Sequence, residues 1–174
     1  MFCYNEIVNN TNEILEFGIK RENEERRDGG CAVVFDPEND RYAVYHNLKT
    51  GIWGLYGGGF DEGEGEQEGV LRELTEESGF YDFLHIEKIE KVSVHYHNSN
   101  KNVDRVALAT CFLIILKSSD LKPTQLEEHE KFELIWANPE KILSSWKERN
   151  ENKDYDHWIY FLQKAINRIK ELGY

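Results

Sequence analysis

Hydrophobic positions come in short runs broken by polar turns, and their spacing predicts a chain of mixed strands and helices. Residues 30–36 form a near-continuous apolar run closing on Asp36, the pattern of a buried strand. Pro37, Glu38, Asn39 and Asp40 supply a turn, and 41–45 returns as a second strand to complete a hairpin. A short strand at 52–56 runs into Gly57, Gly58 and Gly59. From about 66 to 78, Val70, Leu71 and Leu74 supply the apolar face of a helix, and Gly79 is placed as the left-handed residue that ends it. Strands are predicted at 86–96, 105–116 and 132–136, the first two separated by a polar loop at 98–102. Pro139 opens a helix carrying Ile142, Leu143 and Trp146. In a last helix at about 155–172, Trp158, Phe161, Leu162, Ala165, Ile166 and Ile169 recur at helical spacing, as core packing rather than a partner surface. The stretch 13–25 fits either a strand beginning near Ile14 or a charged helix, and the strand is preferred. No repeat, linker or low-complexity tract interrupts the chain, so 1–174 is expected to form one domain.

Composition narrows the function classes more than the fold. A chain 40% hydrophobic and 13% aromatic supports a packed core despite a mean hydropathy of -0.67. The longest apolar stretch, 106–116, is interrupted by Thr110 and is far short of a membrane span. The first residues show no basic region followed by an apolar block, so neither secretion nor a membrane partner is expected. A net charge of -12 argues against a grip on extended nucleic acid, which needs a basic face. A phosphorylated small molecule can still bind if metal ions bridge it to the acids. Cys3, Cys31 and Cys111 are odd in number and far apart, with no Cys-x-x-Cys, and read as free thiols in a reducing, cytoplasmic compartment.

The chemistry concentrates in 58–80. Glu73, Glu76 and Glu77 stand at i, i+3 and i+4, so their carboxylates share one face of the predicted helix. Like charges at that spacing repel, a poor choice for stability alone. A hard divalent cation reverses the balance, and Mg²⁺ or Mn²⁺ prefers such oxygen ligands. The glycines before the helix let backbone approach the site closely. The plain alternative, a solvated acidic helix face, is common in so acidic a chain. The conjunction of Gly58, Glu64, Arg72 and Gly79 with the three acids overturns it.

That conjunction resembles the Nudix box at each defining position, including the hydrophobic sites Leu74 and Phe80. A chance match is on the order of one in a hundred million per start position. The resemblance implies an α/β/α sandwich with a mixed β-sheet, and hydrolysis of a diphosphate linkage with Mg²⁺ (or Mn²⁺). It implies Glu73 and Glu77 as main metal ligands, with Glu76 either a third ligand or the base that orients the attacking water. Arg72 resembles the arginine that fixes a box glutamate, Glu64 an auxiliary metal residue, and the backbone of Gly57 or Gly58 a further ligand. Water attacks phosphorus, giving a monophosphate and a second phosphorylated fragment.

Outside the box, the acidic run 127–133 resembles a loop that supplies a further acid in several nucleotide-cleaving members, with Glu128 and Glu130 as candidates. A solvated loop is the equal alternative, and His129 is not a natural Mg²⁺ ligand. His95, Tyr96 and His97 precede Lys101 and Arg105, so that aromatics and cations could stack on a base and hold a phosphate. Taken singly, each also reads as a strand end and polar loop. Where many relatives have Leu-Pro-Gly-Gly, this chain has Leu55, Tyr56, Gly57 and Gly58, which makes Tyr56 a candidate substrate contact. The leading substrate is a nucleoside triphosphate, oxidised or not, cut to a nucleoside monophosphate. Dinucleoside polyphosphates and nucleotide sugars are the enzymatic alternatives. A catalytically silent nucleotide-sensing Nudix domain is the non-enzymatic one, and the intact box counts against it. The expected partner is a small-molecule nucleotide, and a homodimer is compatible with the family.

Overall fold

The computed structural model describes residues 14–98, 101–126 and 131–174. Among the described residues nine strands make one mixed sheet, numbered in chain order: β1 Glu16–Gly18, β2 Glu25–Arg26, β3 Gly29–Asp36, β4 Arg41–Asn47, β5 Trp53–Gly54, β6 Tyr56–Gly59, β7 Phe83–Asn98, β8 Val103–Leu116 and β9 Phe132–Ala137. The described helices are α1 Glu66–Ser78, α2 Pro139–Lys147 and α3 Asp156–Glu171. The main strand order is β1-β7-β8-β3-β4-β5, with β2 on β8, β6 on β3 and β9 on β4.

The N-terminal stretch, undecided in the sequence, supplies two short parallel strands, β1 on β7 and β2 on β8. The central pair, β3 and β8, is also parallel. Parallel strands are covered on both faces, which is why 31–35 and 111–116 read as unbroken hydrophobic runs. One face packs against α2 and α3 through Val33, Phe35, Cys111, Leu113, Trp146, Phe161 and Leu162. The other packs against α1 through Ala32, Val34, Val70, Leu74, Phe80, Phe112 and Ile114. The result is the α/β/α sandwich.

Helix α1 is held at both ends, and this holding places the site. Gly79 adopts φ 83, a left-handed conformation, and donates its N–H to the Thr75 carbonyl at 2.9 Å. At the other end Glu66 receives the ammonium groups of Lys88 and Lys91 from β7, each at 2.6 Å. Burial alone would raise the Glu66 carboxyl, but the two lysines outweigh it and bring it to about 2. A depressed value contributes stability that is full above the ordinary 4.5 and fades as pH falls toward 2. Because these side chains are partly solvated, Glu66→Gln is expected to cost only about 1 kcal/mol at pH 7. At pH 2 the cost should approach zero. Urea melts at the two pH values check this, and an equal penalty at both would rule out the ion pair as its source.

Candidate functional site

The face of α1 turned away from the core lies against the glycine strand β6. Gly57 donates its N–H to Glu77 Oε2 at 3.0 Å, and Glu77 is only 8% exposed. The Glu73 carboxylate lies directly on Gly58: a Cβ there would stand 2.5 Å from Glu73 Cδ. A Cβ at Gly57 would fall 2.2 Å from the Gly30 carbonyl oxygen. The absent side chain at Gly58 therefore lets the Glu73 carboxylate reach backbone, and the one at Gly57 lets β6 lie close on β3, so a larger residue at either position would clash.

Arg72 organises the remaining acids. Its Nε and one terminal nitrogen donate to the two oxygens of Glu64 at 2.7 and 3.0 Å. The other terminal nitrogen donates to Glu73 Oε1 at 3.0 Å and Glu76 Oε2 at 3.2 Å, and the Gly59 carbonyl accepts at 3.3 Å. These contacts occupy all five guanidinium donors. Hydrogen bonding to Arg72 holds the Glu64 carboxyl at about 2, and the same bonds raise the guanidinium. The sequence predicted one arginine–glutamate pair. The structure makes Arg72 the common partner of three glutamates.

Glu64, Glu73 and Glu76 thus share one guanidinium, and Glu77 stands beside them on the Gly57 N–H, leaving the cluster strongly anionic. Among the described residues no three His, Cys, Asp or Glu side chains converge as a ready-made metal cluster, and Arg72 stands between Glu73 and Glu76 instead. The donor set nevertheless fits a hard divalent cation: carboxylate oxygens only, in excess of the local positive charge, beside glycine backbone that a Cβ would block.

The other expected contacts scatter. Tyr56 is 1% exposed, with its ring in the core beneath α1 and edge-on to Tyr45. It therefore lies inside the core rather than on an exposed surface, because Val70, Leu74 and Phe80 pack over that end of β6. Tyr96 and Arg105 are brought together as cross-strand partners on β7 and β8. Burial pushes the Tyr96 phenol up, while the charges of Arg105 and Arg27 oppose that shift. Lys101 sits exposed in the turn between these strands, beyond the Asn98↔Val103 pair. His95 is buried between Glu24 (2.8 Å) and Glu16 (2.5 Å), holding the N-terminal strands rather than facing a ligand. Glu128, His129 and Glu130, like Cys3, lie outside the described residues. Sequence reasoning missed Arg27, whose guanidinium rests on Gly59. Nothing in its local sequence distinguishes it from Arg26.

Fold and site together define an α/β/α sandwich that sets a carboxylate-bearing helix against a glycine strand. The sequence model of the NUDIX domain matches residues 25–159, so the chain belongs to the Nudix hydrolase family. The NUDIX domain of Shewanella oneidensis NrtR, solved with ADP ribose, is 19% identical with a TM-score of 0.61, covering 84% of this chain and 90% of that one. A MutT protein from Methanosarcina mazei Go1 is 19% identical with a TM-score of 0.56, covering 85% and 98%. A C. elegans Ap4A hydrolase complex is 15% identical with a TM-score of 0.57, covering 83% and 98%. At these identities the likeness is one of fold. No curated protein sequence matches the chain significantly. No helix among the described residues is long and apolar enough to cross a membrane.

Proposed function

We propose that this protein is a Mg²⁺- or Mn²⁺-dependent hydrolase that cuts a diphosphate linkage in a nucleoside diphosphate derivative, with a nucleoside triphosphate as the leading substrate and a nucleoside monophosphate as product. The observation that carries this reading is the clustering of Glu64, Glu73 and Glu76 around Arg72, with Glu77 held on the Gly57 N–H, beside the backbone of Gly57–59. Glu73, Glu76 and Glu77 would hold the cation, with Glu64 as its auxiliary. When bound, it neutralises the diphosphate and acidifies a water. Arg72 fixes the orientation of Glu73 and Glu76, so that their carboxylates need little reorganisation when charge develops. Glu77 is fixed by the Gly57 N–H. Glu76 is the most solvated of the three at 35% exposure, which suits it to accept a proton from water and release it to solvent. The free, buried thiols of Cys31 and Cys111 support a reducing, cytoplasmic setting.

The test is phosphate release, coupled to a phosphatase, from a panel of nucleoside triphosphates, dinucleoside polyphosphates and nucleotide sugars. Turnover is expected with Mg²⁺ or Mn²⁺ and none in chelator. Failure to turn over every compound in both metals would overturn the enzymatic reading.

A further inference from the structure

Gly58 and Gly59 are successive residues of β6, so their α-carbons face opposite sides of the sheet. Gly58 meets the carboxylate of Glu73. Gly59 meets Arg27: a Cβ there would stand 2.5 Å from Nε and 2.8 Å from a terminal guanidinium nitrogen. Among the described residues β6 pairs only with β3, through 29–32. Its outer edge therefore presents an acid on one side and a guanidinium on the other, one residue apart along the strand. That rise is about 3.3 Å, the scale of a single P–O–P linkage.

The charge on the Arg27 side is poorly neutralised. Arg26 is taken by Asp28 at 2.8 Å, and Arg105 reaches Glu25 only at 3.7 Å. Arg27 forms no ion pair with a described carboxylate, although its backbone N–H is fixed on the Val106 carbonyl at 3.0 Å. Arg105, largely buried, keeps an Nε with no partner among the described residues. In a chain of net charge -12, uncompensated guanidinium beside the acid site calls for an anion.

We propose that Arg27, backed by Arg105, is the anion-binding wall of the site and grips one phosphate of a nucleoside diphosphate moiety across the glycine edge from the glutamates. This rests on the diphosphate-hydrolase reading. The guanidinium fork suits two oxygens of one phosphate, and a lysine's point charge does not replace it. The opposed faces divide the work: the acids act on one phosphate through a cation, and Arg27 holds the other directly.

The experiment is calorimetric titration of ADP, with and without Mg²⁺, into the wild-type protein, Arg27→Ala and Arg27→Lys. Wild type is expected to bind, Arg27→Ala to bind at least roughly tenfold more weakly, and Arg27→Lys to recover part of the loss. On a turned-over nucleotide, Arg27→Ala should raise KM by a similar factor and change kcat less, a split that a merely structural defect would not give. Arg27 is exposed, so melting temperatures should match. Equal ADP affinity of wild type and Arg27→Ala, or no ADP binding by wild type in either condition, overturns the assignment. Turnover of the nucleotide panel with an unimpaired Arg27→Ala would leave the hydrolase reading standing and remove this one. Arg27-dependent ADP binding without any turnover would do the reverse.

Discussion

Glu77→Gln is expected to lower turnover roughly a thousandfold while leaving the fold intact. Glu77 is the most buried acid of the site, and its Oε2 accepts the Gly57 N–H at 3.0 Å. Glutamine keeps the length and an oxygen that can accept the same bond, so β6 and α1 stay joined. What it removes is the negative charge, and with it most of the attraction for a divalent cation. Melting temperature should therefore change by no more than about 2 °C. Steady-state kinetics on any nucleotide that the wild type cleaves provides the check. Normal turnover would take Glu77 out of the metal site.

The second large effect is on stability. Leu74 is fully buried in the core beneath α1, beside Val70, Phe80, Phe112 and Ile114. It also immediately follows Glu73 and precedes Glu76 and Glu77, so the residue that anchors the helix sits among the acids proposed to carry the chemistry. Leu74→Ala leaves a cavity that neighbours on both the helix and the sheet cannot readily close. A loss of about 3 kcal/mol is expected, lowering the melting temperature by roughly 6–12 °C in a chain of this size. Denaturant unfolding measures it. A loss below about 1 kcal/mol would mean that α1 does not depend on this contact.

Much of the architecture was written in local pattern. The helix limits 66–78, the left-handed Gly79 and the hairpin at Pro37 to Asp40 are local matters, and the structure reproduces them. In the hairpin, Asp36 accepts from the Glu38 N–H and the Asn39 side chain, a turn closed by its own residues. The strand at 52–56 was less legible: it divides into β5 and β6, on different partners. Residues 16–18 and 25–26 gave no clear period because each strand is too short to show one, and β7 and β8 decide their conformation.

The same division holds at the three glutamates. Their spacing on one helical face follows from 3.6 residues per turn, and the sequence alone determined it, along with the family that the box identifies. What those acids meet was decided by tertiary structure. Glu77 finds an N–H 20 residues away, Arg72 reaches back eight to Glu64, and Arg27 arrives at Gly59 from before β3. Tyr56 shows the limit most clearly. Its standing where many relatives have proline suggested a ligand contact, but the alternation of β6 against β3 turns its ring into the core. Side-chain period along a chain is local. The partner across a sheet is set by register, which needs the whole fold.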